Sequence, residues 1–483
     1  MSICESVSEL FAESGDKDNI FTIAVTVDTG FEWEAIDECK EKLSKDVRVV
    51  KQRGRIYFNI DWDEFPKVQQ MRSIDHIFIV ADNGTLSFAK DHRDKESDLL
   101  CIRNYNSNVL SNSDDRWKKT LKAWKCATDF KGKLYPTIEE YTAAKEQDLI
   151  VKAEMLKIRN KEQEEKDPLD WNVSEMKEEK GKKRGQDPSK SEENDVLKYR
   201  VTCERSGKHT VESTDVARVI GEVLQDKFHW LVDLSMYHLE IVCKLIDEQL
   251  ITHLRVTHKS KHNRNIINFG PTTLRSTICY NLLKLANPKP GDIIVDPMCG
   301  GGSIPIEATL AYPDTYVLCG DNDSRATDRT KSNMNASTVG CKIDLVQWTA
   351  SKLPFKDSFI DVIVTDMPFG KRSGNKSYNK FFYKDFLLEL GRMVKINGRI
   401  ILLTYDRCNF KDALMAAGDL FWVMKIIGVN VGGLPAAVYV LNRTQVSLNS
   451  FKPRLAKPYG KYSYSKNDKN SSAHLDQLDM PFS

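Results

Sequence analysis

Over residues 20–27 apolar side chains alternate with Thr and Ala (IFTIAVTV), and after Thr29-Gly30 the run WEAIDECKEKL spaces its apolar residues three and four apart. A strand followed by a helix is predicted. Further strands at 47–50, 55–60 and 76–81 make this first block a small α+β unit. A second unit follows. Strand character resumes at 197–202, Ser213-Thr214-Asp215 can cap the helix VARVIGEVLQDKF, and 239–245 and 249–256 read as a strand pair around Asp247-Glu248. Beyond it Pro271-Thr272 opens a helix in which Leu274, Ile278, Leu282 and Leu285 share one face.

From residue 292 strands and helices alternate. Strands are predicted at 292–296, 316–321, 344–348, 360–366 and 399–405, with a helix at 384–394 before the last. Strands joined by helical crossovers form a parallel, doubly wound sheet. Strands 421–431 and 436–443 are separated only by Gly-Gly-Leu-Pro, so they run antiparallel. The expected fold class is α/β: a Rossmann-like domain on a seven-stranded mixed sheet, preceded by α+β modules.

Composition adjusts this picture in three places. The 483 residues exceed a single small domain, and 71 Lys+Arg against 69 Asp+Glu leave a net charge of only +2, so contact with nucleic acid must use a local patch. Charges of both signs crowd 145–195, which reads as a stretch unable to order itself: a linker, or else a basic arm touching RNA around Lys182, Lys183 and Arg184, offset by Glu178, Glu179, Glu192 and Glu193. The expected organisation is a flexible start at 1–18, α+β modules at 19–135 and 196–262 around a charged linker at 136–195, a catalytic domain at 263–445 and a flexible tail at 446–483.

Eleven cysteines without any C-x-x-C pair argue against a zinc ribbon and for reduced thiols, and no signal peptide is evident, so a cytoplasmic location is expected, with the nucleus open. The most apolar long stretch, 421–441, is interrupted by Lys425, Asn430, Gly432, Gly433 and Pro435 and does not suit a membrane helix. His229, His238 and His253 lack ligand spacing, and no metal is expected.

Candidate chemistry gathers at the ends of the parallel strands. The strand DIIVD runs into Pro297-Met298-Cys299-Gly300-Gly301-Gly302 and then a helix, so backbone without Cβ atoms meets a ligand at a helix N-terminus. One βα unit on, Asp321 stands where a doubly wound fold binds a ribose; the other reading, a helix cap, suits Asp323 better. At the end of the fourth strand, Asp366-Met367-Pro368-Phe369 forms a cradle for a planar amine: the carboxylate and the Met367 carbonyl accept N–H bonds and Phe369 stacks on the ring. Lys371 and Arg372 follow, as phosphate contacts or as a solvated turn, and Lys259, Lys261, His262 and Arg264 form a further basic cluster at the junction of the two halves. The Asp366 loop has no cysteine, which disfavours C5 methylation of pyrimidines, and Cys299 reads as a small packed side chain.

The phrases FGPTTLRST, DPMCGGG, DMPFGKR and VNVGGLPAAVYVLNRT resemble the THUMP-domain guanosine-N2 RNA methyltransferases, which are class I S-adenosylmethionine-dependent enzymes. The likeness spans about 264–444, and TGFEWEAIDECKEKL and YRVTCERSGKHT more weakly resemble that family's ferredoxin-like and THUMP modules. It implies transfer of a methyl group to guanosine N2 in tRNA, with S-adenosylmethionine as cofactor and a small zinc-ribbon methyltransferase-activator subunit as partner. Asp296, Met298, Gly300 and Gly302 would line the methionine part of the cofactor, Asp321 and Asn322 would meet its ribose, and Trp348-Thr349 would flank the adenine. Pro271, Thr272 and Arg275 would close over it, Asp366 to Phe369 would hold the target guanine, and Lys371, Arg372, Arg264 and Lys261 would meet RNA. Two departures, Gly301 for the usual Thr or Ser and Thr349 for a frequent acidic residue, are expected to weaken cofactor affinity without abolishing it. The rival expectations are methylation of another RNA such as a spliceosomal small nuclear RNA, methylation of an adenine amine, and a catalytically silent RNA-binding protein.

Overall fold

The computed structural model describes residues 6–15, 17–89, 94–164, 186–270, 272–337, 342–368 and 376–448. Two sheets organise the chain. The first is built from β1 (Ile20–Val27), β2 (Val49–Gln52), β3 (Arg55–Asp61), β4 (Ile74–Thr85), β5 (Lys198–Ser206), β6 (Leu231–Val232), β7 (Leu239–Ile246) and β8 (Gln249–Arg255), in the order β2-β3-β1-β4-β8-β7-β5-β6. The two α+β units therefore share one sheet, joined where β4 pairs antiparallel with β8, Phe78 opposite Arg255 and Thr85 opposite Gln249.

The second sheet comprises β9 (Ile293–Asp296), β10 (Tyr316–Asp321), β11 (Ile343–Gln347), β12 (Ile360–Asp366), β13 (Val394–Thr404), β14 (Phe421–Val431) and β15 (Leu434–Arg443), in the order β11-β10-β9-β12-β13-β15-β14. The first five run parallel and β15 is antiparallel to β14, both as expected; β15 is also antiparallel to β13, which it joins to β14. Val362, Ile363, Val364, Ile400, Ile401 and Leu402 are fully buried because helices cover both faces. The order turns at β9, whose neighbours β10 and β12 lie on opposite sides. Such a switch point opens a crevice beyond the carboxyl ends of the strands.

Three expectations are corrected. The start is not wholly flexible: helix Val7–Gly15 buries Val7, Leu10 and Phe11, a helical spacing on one face. The charged stretch is ordered as far as 164 in the helix Ile138–Glu164. A reciprocal cap between Thr137 and Glu140, the ion pairs of Lys152 with Asp148 (2.6 Å) and Asp233 (3.0 Å), and a bond from Gln225 to the Tyr141 hydroxyl (2.7 Å) replace the apolar area it lacks. Lys182, Lys183 and Arg184 lie outside the described residues. Lastly, the helix after 271 begins at Ser276, with Arg275 as its N-cap.

The halves are packed together. One apolar core runs from Ile36 and Phe58 through Ile278 and Leu282 to Val362 and Leu403. At its margin the fully buried Glu307 accepts from Arg72 Nε (2.6 Å) and Arg264 Nη2 (2.7 Å), and buried Asp28 accepts from Thr277 Oγ1 (2.6 Å) and Arg275 Nη1 (3.3 Å).

Candidate active site

The crevice at the carboxyl ends of β9, β10 and β12 is a cleft of about 310 Å³, within the usual range of small-molecule sites. Its floor starts at Asp296, the last residue of β9. Oδ1 of this buried carboxylate accepts from Thr365 Oγ1 (2.7 Å) and Met298 N (3.2 Å). Burial, with a smaller contribution from the charge of Asp321, outweighs those bonds and pushes the carboxyl up to about 7.

The glycine loop is fixed from both sides. Cys299 N donates to Gly320 O (2.9 Å) on β10, while Thr330 Oγ1 and Asn333 Nδ2 of the helix Ser324–Ala336 donate to the carbonyls of Gly300 (2.9 Å) and Gly301 (2.8 Å). Gly302, at φ +82°, caps the helix Ser303–Ala311, and a Cβ there would stand 2.9 Å from Thr330. Gly300 takes φ +56° with open space where a Cβ would point. Asp321 accepts from Gly300 N (3.0 Å) and Asp323 N (3.1 Å), and Asp323 caps the following helix.

Opposite this loop, β12 ends in Asp366, whose Oδ1 is buried without a hydrogen-bond partner. Burial first, and then the charge of Asp296, raise its carboxyl well above the ordinary range. Met367 N donates to Leu403 O (2.9 Å), and the Pro368 carbonyl accepts from Tyr383 Oη (2.7 Å) and Asn379 Nδ2 (3.1 Å). Tyr383 Oη also meets Thr404 Oγ1 (3.2 Å), so the loop backbone is tied to β13.

Ten of the expected residues line this cleft: Thr272, Asp296, Met298, Gly300, Asp321, Asn322, Thr349, Asp366, Met367 and Pro368. Five have other roles. Gly302 packs on Thr330; Trp348 is buried beneath the loop, donating to Pro297 O (3.0 Å); Arg275 turns to Asp28. Arg264 is drawn to Glu307, and Lys261 Nζ donates to Gln69 O and Met71 O (both 2.6 Å), where burial pushes its amine down to about 8. Neither is a free phosphate contact. Pro271, Phe369, Lys371 and Arg372 lie outside the described residues.

Sequence reasoning passed over Thr365, Arg329, Phe382, Asn379 and Tyr383. The last two share a helix face four residues apart, but that helix, Lys376–Met393, starts eight residues before the predicted 384. The arrangement fits a nucleoside cofactor with an amino-acid arm: open backbone at Gly300, a carboxylate at the ribose position, and unpartnered polar atoms on Asp366 and Arg329 facing one cleft. Among the described residues no helix is long and apolar enough to cross a membrane.

The family model described as "RMKL-like, methyltransferase domain" matches residues 264–433. A cattle protein, tRNA (guanine(6)-N(2))-methyltransferase THUMP3, is 36% identical over 92% of this chain and 94% of its own. The cattle U6 snRNA (guanine-N(2))-methyltransferase THUMPD2 is 34% identical over 43% of this chain and 40% of its own. The crystal structure of TrmN from Thermus thermophilus covers 88% of this chain and 99% of that one at a TM-score of 0.60 and 20% identity, a likeness of fold. The first likeness runs through both sheets, whereas the second takes in less than half the chain. With such a relative over nine-tenths of its length, this chain belongs to the THUMP3 family of guanine-N2 methyltransferases and is an S-adenosylmethionine-dependent enzyme.

Proposed function

We propose that the protein methylates the exocyclic N2 of a guanosine in tRNA. The observation that carries this reading is the buried, unpartnered Oδ1 of Asp366 beside the backbone of Met367, across the cleft from the glycine loop. S-adenosylmethionine, when bound, supplies an electrophilic methyl on a sulfonium. Asp296, the Gly300 backbone and Asp321 would hold it. The Asp366 carboxylate and the Met367 carbonyl would accept the two N–H bonds of the guanine amine. That fixes the nitrogen in line with the methyl and favours the positive charge that develops on it. After transfer the extra proton on N2 passes to Asp366, whose raised affinity for protons makes it a suitable acceptor. Tyr383 and Asn379 hold the Pro368 carbonyl and so set the loop's height above the floor.

Guanosine 6 is the position in the relatives' names, and the full-length likeness to them supports that position over a small nuclear RNA. A zinc-ribbon activator subunit is part of the proposal: β11 and β14 are terminal strands of the second sheet and offer edges for strand addition.

The test is nucleoside mass spectrometry of unmodified tRNA incubated with S-adenosylmethionine and the protein, with and without the activator. N2-methylguanosine is expected, and it is expected to vanish in Asp366→Ala while cofactor affinity stays within about 3-fold, since that carboxylate serves the base. A product from Asp366→Ala at the wild-type rate would overturn the assignment.

A further inference from the structure

We infer that Arg329 binds the amino-acid carboxylate of the cofactor, an inference that rests on the methyl-transfer reading above. Among the described residues that line the cleft, Arg329 is the sole cation, against the three carboxylates Asp296, Asp321 and Asp366. Its Nε is buried without a hydrogen-bond partner, and Asp323, the carboxylate whose charge it feels, is ion-paired with Arg325 (3.0 Å). The guanidinium lies against Gly270, where an added Cβ would be 3.2 Å from Nε and 3.5 Å from Nη2. Its place is set by the helix Ser324–Ala336, the same helix that grips the glycine loop through Thr330 and Asn333.

The charges are complementary. S-adenosylmethionine carries a sulfonium, an ammonium and one carboxylate; an acidic cleft suits the two cations and repels the anion. The carboxylate needs a cation that is desolvated and unpaired before it arrives. A guanidinium with an unsatisfied buried N–H meets both conditions and can form a forked pair with it. The competing seat is the N-terminus of the helix Ser303–Ala311, whose first residues also line the cleft.

The experiment is calorimetric titration of full-length wild type, Arg329→Ala and Arg329→Lys with S-adenosylhomocysteine and with its decarboxylated analogue, which keeps the amine. Loss of one charge-assisted pair predicts that Arg329→Ala weakens S-adenosylhomocysteine about 10- to 100-fold and the analogue less than about 2-fold, with Arg329→Lys between. An equal loss for both ligands would make Arg329 a packing residue. No loss for either would leave the carboxylate to the helix N-terminus, and a loss confined to tRNA affinity would make Arg329 a phosphate contact; each overturns the inference. An unchanged thermal transition without ligand shows that the variant is folded. Failure of the wild type to bind S-adenosylhomocysteine would instead refute the methyl-transfer reading on which the inference stands.

Discussion

The floor of the cleft is costly to the empty protein, and Asp296→Asn measures that cost. Asp296 moves from an ordinary 3.8 to about 7 on folding, chiefly through burial. The folded chain therefore holds a proton on this group between those two values while the unfolded chain has lost it. Stability contributed at this site falls as pH rises through the window and levels off above the folded value. At about 1.4 kcal/mol for each pH unit, the whole shift of roughly 3 units is worth about 4 kcal/mol, and the part between pH 5 and 8 about 2–3 kcal/mol. Asparagine keeps an oxygen for Thr365 and Met298 but does not titrate; its new N–H group adds an offset that is the same at every pH. The advantage of Asp296→Asn over wild type should thus grow by about 2–3 kcal/mol from pH 5 to 8. Removing the charge beside Asp366 acts in the same direction. The assay is thermal and urea unfolding of both proteins across that range, following the transition that S-adenosylhomocysteine raises in wild type. A stability difference that is flat with pH, or that shrinks as pH rises, would refute the burial argument.

Two further outcomes follow from the ties around the site. Tyr383→Phe keeps the ring but removes the bond to the Pro368 carbonyl (2.7 Å); it should lower kcat by about 5- to 30-fold, the equivalent of about 1–2 kcal/mol, with cofactor affinity unchanged in titration. Glu307→Gln leaves Arg72 and Arg264 facing a neutral amide in a buried site and should cost about 3–5 kcal/mol, seen as a lower thermal midpoint for the catalytic half.

Local order was readable where burial is local. The strands at 316–321 and 360–366 match their predicted limits because each is a largely buried, mostly apolar run that ends in an Asp at a turn. Asp296, Asp321 and Asp366 were readable for the same reason: each ends such a strand, and strand ends are where this topology opens. What was hidden depends on partners distant in the chain. Nothing near Lys261 signals the carbonyls of Gln69 and Met71, and nothing near Arg264 signals Glu307, so both looked like exposed cations. Trp348 follows a strand and resembles an adenine wall, yet Gly320 opposite it leaves room for the indole to sink under the loop, where it holds Pro297. The charged helix Ile138–Glu164 defeated a composition argument because its charges find one another, and Asp233, in three dimensions.

The displaced residue Arg275 joins the two halves. It follows Thr272, Thr273 and Leu274, which form one wall of the cleft, and both it and Thr277 bind the Asp28 carboxylate at the end of β1. The glycine loop, a second wall, continues into the helix Ser303–Ala311, whose buried Glu307 is held by Arg72 of the first sheet's half. Both walls are therefore anchored to the first sheet through buried charges, and breaking such a pair leaves one charge uncompensated. A rotation of one half against the other would have to break Asp28 from Thr277 and Glu307 from Arg72 together. The geometry of the cleft is thus set by the fold of the N-terminal half as much as by the strands that carry its chemistry.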